Sequence, residues 1–229
     1  MAVDDSYTKA LLHLNGPQDG YVFIDESGKT WTRYGNVAFD TTIYKFGGSS
    51  ASFAGADWFI YSDDSPDWNL GATWTIDFWI YWITCSNATR YNLMGQYLDG
   101  THYARLLRDG DNTLKFDLYD GATDLGSYTC PWTPSTGQWI HVEIGRNNSS
   151  TCYMFLNGIS QSVTQVTAFG TYPDIASFFS IGAINYLNGA NCRLQEVRIS
   201  KGICRHTSNF IPPTAPYGTS SILIPMWFY

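Results

Sequence analysis

The sequence predicts an all-β protein, an antiparallel two-sheet β-sandwich. Three observations carry this. Apolar and polar residues alternate with a period of two through most of the chain, the spacing of strands that bury one face. Turn dipeptides punctuate the runs: Asp19-Gly20, Ser27-Gly28, Asp99-Gly100, Asp109-Gly110, Asp120-Gly121, Asn157-Gly158 and Asn188-Gly189. No segment keeps apolar residues at helical spacing over three turns without a Gly or Pro. The 229 residues, 44% hydrophobic and 17% aromatic, suit one large domain over 1–229 with a sizeable core.

In chain order, "WTIDFWIYW" (74–82) sets Trp74, Ile76, Phe78, Ile80 and Trp82 on an inner face and Thr75, Asp77, Trp79 and Tyr81 on the other. "TLKFDLYDG" (113–121) turns Leu114, Phe116 and Leu118 inward and ends on a turn signal. "WIHVEIGR" (139–146) alternates Ile140, Val142 and Ile144 with outward His141 and Glu143. "CYMFLNG" (152–158) runs into Asn157-Gly158, the strongest short-range hairpin signal. "FFSIGAI" (178–184) and "LQEVRIS" (194–200) continue the pattern. In the last of these, Leu194, Glu196, Arg198 and Ser200 are expected on one side, and Val197 and Ile199 on the other.

Charge and motifs exclude several functions. The net charge is −7, and the only basic cluster, Arg193, Arg198, Lys201 and Arg205, is too sparse to displace counterions from a nucleic acid. The N-terminus lacks the basic region of a signal peptide, and no window approaches the ~20 apolar residues that span a bilayer. Cysteines 85, 130, 152, 192 and 204 are odd in number and form no CxxC, so zinc is not expected. A strand over 194–200 extends roughly 20 Å. A disulfide tolerates only about 7 Å between Cα atoms, so Cys192 and Cys204 are expected as free thiols.

The order of the segments carries a resemblance. "KALLHLNG" (9–16), "FIDESGKTW" (23–31), "KFGGSSASFAG" (45–55), "WTIDFWIYW", "QWIHVEIGR", "CYMFLNG" and "LQEVRISKGICRHTSNFIPPTAPY" (194–217) follow one another as in the laminin-G-like branch of the concanavalin A-like lectin/glucanase superfamily. The chain looks most similar to versions found in phage and other virion proteins. The resemblance implies a concanavalin A-like jelly roll with residues 205–229 as a C-terminal strap. Pro212 and Pro213 would hold that strap extended.

The superfamily includes glucanases that place paired carboxylates on one strand. Here Asp77 stands alone, with Thr75 and Trp79 or Ile80 where the flanking Glu residues would be. Asp77 then reads as a solvated strand residue, and no HExxH or GxSxG occurs. The expectation is a non-enzyme, with a divergent glycan-cleaving enzyme as the outlying alternative. Sugar binding needs aromatic faces beside hydrogen-bonding side chains. The turn-rich stretches offer Trp58, Trp68, Tyr97, Trp132, Tyr186 and Asn188. The resemblance also implies a structural calcium held by Asp25, Glu26 and Glu196. Together these point to an adhesion module for a cell-surface or polymeric glycan, displayed on a virion and made without a signal peptide. The alternative is a purely structural capsid or tail protein. Other virion proteins are expected partners, and the apolar "SILIPMWFY" end (221–229) is expected to serve as an oligomer contact.

Overall fold

The structure is a computed structural model that describes residues 5–54, 57–121, 123–148, 151–167, 170, 172–184, 186 and 188–218. Its strands lie in two antiparallel eight-stranded sheets. The first sheet contains β1 (Thr8–Leu12), β3 (Ala38–Asp40), β4 (Ser50–Phe53), β6 (Trp74–Thr84), β11 (Trp139–Asn147), β12 (Thr151–Leu156), β13 (Ile159–Ser160) and β16 (Asn191–Lys201). The second contains β2 (Thr32–Tyr34), β5 (Phe59–Ser62), β7 (Tyr91–Asp99), β8 (His102–Asp109), β9 (Thr113–Asp120), β10 (Thr123–Pro131), β14 (Thr164–Thr167) and β15 (Phe179–Ile181). Among the described residues there is no helix. The expected sandwich is therefore present.

The core lies between the sheets. Ile76, Phe78 and Ile80 of β6, Val142 and Ile144 of β11, and Val197 and Ile199 of β16 pack with Leu106, Phe116 and Leu118 of the opposite sheet. Burying side chains of this size contributes about 1.5–3 kcal/mol each relative to exposure. The Asn157-Gly158 signal becomes a two-residue hairpin between β12 and β13, both turn residues taking positive φ (51° and 74°). Gly158 is needed twice over, because a Cβ there would lie 2.0 Å from the carbonyl of Phe210 in the strap.

Two sequence expectations need correction, and the expectation of free thiols holds. Asp77 and His141 are fully buried rather than solvated, because the strap closes over the outer face of β6, β11 and β16. The final strand does not alternate cleanly. A bulge between Gln195 and Arg198, with Glu196 at φ 53°, returns Leu194, Val197 and Ile199 to the core side and sets Gln195, Arg198 and Ser200 outward. The extra residue shifts the pleat by one, which strict period-two counting cannot register. The cysteines are free: Cys130, Cys152 and Cys192 are buried, Cys85 and Cys204 half-buried.

The described part of the strap is held by a buried polar network. Arg198 donates to both oxygens of Asp77 (2.9 and 2.8 Å). The Tyr217 hydroxyl donates to Asp77, its ring lies 4.0 Å from the Arg198 guanidinium, and its backbone N–H donates to Glu196 at 2.7 Å. His206 pairs with Glu143 at 2.9 Å, and His13 with Glu196 at 2.9 Å. Burial would raise Asp77, but the Arg198 charge and hydrogen bonds outweigh it and hold Asp77 below the ordinary carboxylate value. The 221–229 segment lies outside the described residues.

Replacing Arg198 by Met should cost about 3–5 kcal/mol in urea unfolding, because Asp77 is left charged and unpaired in the interior. The double variant Asp77→Asn/Arg198→Met should recover a substantial part of that loss. Burial pushes His141 down to about 4, with the Asp77 charge opposing and the charges of Arg198 and His206 assisting. A lowered histidine leaves the unfolded chain binding the extra proton. His141 therefore removes stability as pH falls from about 6.5 to about 4, at up to about 1.4 kcal/mol per pH unit. The Glu196 partner raises His13, whose contribution runs oppositely: full below the unfolded value, lost as pH rises through the folded one. The difference between wild type and His141→Gln in unfolding across this range should isolate the His141 slope.

Candidate functional site

The outer face of the second sheet is not covered by the described part of the strap, and its register gathers aromatic and polar side chains. Tyr97 of β7, Tyr103 of β8 and Tyr119 of β9 are direct cross-strand neighbours. Their rings stack in a row, with centroids 6.0 Å apart at 11° and then 5.5 Å apart at 18°. The alternation that sends Leu114, Phe116 and Leu118 inward turns Lys115, Asp117 and Tyr119 outward.

One rung along, Arg105 donates to both oxygens of Asp117 (2.9 and 3.2 Å) and lies 4.1 Å from the Tyr103 ring. Lys115 approaches the same carboxylate at 3.3 Å. Burial works against the Arg105 charge, but Asp117 outweighs it and raises its pKa. Burial, then the Asp117 charge, also raises Tyr103 and keeps the phenol neutral. Gly95 continues this rung beside Arg105, and a Cβ on it would lie 2.1 Å from the carbonyl of Ala104. Beyond Gly95 come Ser180 of β15 and Tyr61 of β5. A second aromatic group follows: Tyr34, Phe59, Tyr61, Phe178 and Tyr186, with Tyr34 and Tyr186 at 4.6 Å and Phe59 and Phe178 stacked at 6.0 Å.

The sequence-derived ligand residues divide. Tyr97 begins the tyrosine row, and Tyr186, 48% exposed, joins the second aromatic group. Asn188 is exposed at a turn and its carbonyl accepts the Asn92 N–H at 2.8 Å. Trp58 is half-buried, packed against the core and the backbone of Gly35. Trp68 and Trp132 are corrections, because neither offers a face to a ligand. Trp68 is fully buried between Trp31 and Phe179, with its indole N–H on the Asp63 carbonyl at 3.0 Å. Trp132 packs edge-on to Trp82. Their turn-rich neighbourhoods cap the ends of the sandwich, where a large apolar ring gains most by turning inward. Sequence reasoning missed Tyr103, Arg105 and Tyr119. Their signal lay in the outward positions of "HYARLLRD" and "TLKFDLYD".

The calcium set does not fit. Asp25 accepts the N–H groups of Leu11 and Ser27, the Ser27 hydroxyl and the Trp31 indole N–H. Glu196 is occupied by His13 and Tyr217, and Glu26 is exposed with His13 3.9 Å away. Protein donors occupy the Asp25 and Glu196 carboxylates, and Glu26 stands apart in solvent. Among the described residues no group of three or more His, Cys, Asp or Glu side chains could hold a metal ion.

Glycoside cleavage needs two accessible carboxyl groups. Asp77 and Glu143 are cross-strand neighbours. Both are fully buried beneath the strap and bound by Arg198, Tyr217 and His206. Burial raises Glu143, with His206 opposing. Neither carboxylate faces an open groove.

Among solved structures, the binding domain of Paraclostridial Mosquitocidal Protein 1 resembles this chain with a TM-score of 0.67 and 16% identity over 88% of this chain and 50% of that one. Domain 4 of AbnA, an extracellular arabinanase from Geobacillus stearothermophilus solved with arabinotriose, gives 0.61 and 16% over 85% and 94%. The binding domain of botulinum neurotoxin serotype D gives 0.64 and 14% over 85% and 48%. The chain thus spans about half the length of the toxin binding domains it matches. No curated protein matches its sequence. The Laminin_G_3 model matches residues 53–205, well over half the chain, and the protein belongs to the concanavalin A-like lectin/glucanases superfamily.

Proposed function

We propose that this domain is a non-catalytic glycan-recognition module whose ligand lies along the tyrosine row of the second sheet. The observation that carries the reading is the Tyr97–Tyr103–Tyr119 row beside the Arg105–Asp117 pair. Pyranose and furanose rings carry C–H faces that pack on aromatic rings, and hydroxyls that bond phenols, guanidinium and carboxylate. Arg105 is held by Asp117 and the rings are held by the sheet, so little side-chain freedom is lost on binding. An arabinanase domain of the same fold is solved with arabinotriose, and cell entry of botulinum neurotoxin type C is dependent upon interaction with two ganglioside molecules. Both support a sugar-binding use of this scaffold.

The resemblance of the strap and final strand to virion-borne relatives supports display on a phage or virus particle, where a cell-surface or polymeric glycan would be the target. A tagged chain produced during infection should co-sediment with purified particles. Recovery only in the soluble fraction would count against display.

On a neutral-glycan array, the wild-type chain should bind a restricted set of sugars. Tyr103→Ala and Tyr119→Ala should each weaken that binding at least about tenfold, or 1.4 kcal/mol. Trp68→Phe, a core change, should leave it intact provided the fold is retained. An array with no binding would leave a purely structural role as the better reading.

A further inference from the structure

The first sheet carries a groove of about 560 Å³ that the tyrosine-row reading does not use. Trp79 and Trp139 line it with Lys45, Phe46, Asn157 and the strap residues Ile211–Thr214. The register sets the aromatic side of the groove: Trp139 faces Tyr81 across β11 and β6 and supplies the open ring, while Trp79, only 5% exposed, backs it beneath Lys45. Trp139 remains half-buried, so part of its ring is open.

The Lys45 wall is fixed in place. Gln195, fully buried in β16, accepts the backbone N–H groups of Lys45 and Phe46 and donates to the Phe46 carbonyl at 3.0 Å. These bonds fix the Lys45 backbone, and its ammonium lies 4.2 Å from the Trp79 ring. Among the described residues the lysine ion pairs are Lys29–Asp67 and Lys115–Asp117, and Lys45 has none. No Asp or Glu lines the groove. The Asn157 side-chain oxygen accepts the His141 N–H at 2.9 Å, which leaves its amide N–H groups as what it can offer a ligand. The groove therefore combines an aromatic floor, donors and one uncompensated positive charge. A flat, acceptor-rich ring with a carboxylate meets all three requirements.

We propose that this groove binds a carboxylated sugar residue of the uronic-acid or sialic-acid type, as a second site separate from the tyrosine row. The two sites differ in their carboxylates: Asp117 lies between Arg105 and Lys115, whereas among the described residues no carboxylate pairs with Lys45. The proposal does not rest on the tyrosine-row reading.

The test is calorimetric titration of the full chain with sialyllactose and with trigalacturonate, using lactose as the neutral counterpart. At least one acidic sugar should bind at least about tenfold more tightly than lactose. Raising salt from roughly 0.05 to 0.5 M should weaken it, since a solvent-facing ion pair is screened. Lys45→Met, an exposed substitution that keeps the stem, and Trp139→Ala should each reduce acidic-sugar affinity about tenfold or more. Tyr103→Ala should leave that affinity unchanged, which separates this site from the tyrosine row. Whichever acidic sugar binds identifies the setting of the carboxylate. Failure of both to bind, equal affinity for lactose, or binding insensitive to Lys45→Met would overturn the proposal. So would capture of a polyglutamate peptide with neither sugar bound.

Discussion

The pairing of Asp77 with Arg198 under Tyr217 is the constraint on which the rest of the structure depends. It joins the two long central strands of the first sheet and anchors the C-terminal strap over them. A carboxylate as deeply buried as Asp77 offsets its desolvation only if it is paired and hydrogen-bonded, and Arg198, 14% exposed, reaches it from the edge of solvent. The bulge at Glu196 makes that possible. By adding one residue to β16 it turns Arg198 to the side of Asp77 and keeps Val197 and Ile199 in the core. Without the bulge, Leu194 and the Val197–Ile199 pair would lie on opposite faces of the strand.

The strap then separates the two outer faces chemically. On the first sheet it lies over Asp77, His141, Glu143 and Glu196, which are buried, while Arg198 and His206 keep partial exposure. Burial raises Glu143 and is outweighed at Asp77 by the Arg198 charge, so the adjacent acids shift in opposite directions, and both are fully buried. On the second sheet the meander from β7 to β10 keeps the tyrosines in register, with part of each ring open to solvent. A partly open aromatic face and a largely buried polar network thus arise from one scaffold. The difference is which sheet the chain end crosses.

Much of this was legible in the sequence. The sandwich, the Asn157-Gly158 hairpin, the inward faces of β6, β9 and β11, and the free thiols all follow from local rules of alternation, turn chemistry and strand length. The site was legible only in part. Tyr97 and Tyr186 were read as ligand-facing from their polar surroundings, and both contribute an accessible ring. Trp68 and Trp132 had similar surroundings and went to the core, because the surroundings of a turn do not say which way its largest side chain points. Tyr103 and Tyr119 were overlooked because each looks like an ordinary outward strand residue until the register aligns them.

The sequence by itself determined the class of fold and which residues on most strands face inward, because period-two patterning and turn residues act over a few positions. Tertiary structure alone decided the fate of the outward residues. Asp77, His141 and Glu143 were outward by pattern and became interior when a segment more than sixty residues further along the chain folded over them. The tyrosines were outward by the same pattern and remained partly open. Strand periodicity reports which side of a sheet a residue occupies; whether that side meets water depends on contacts between residues far apart in sequence.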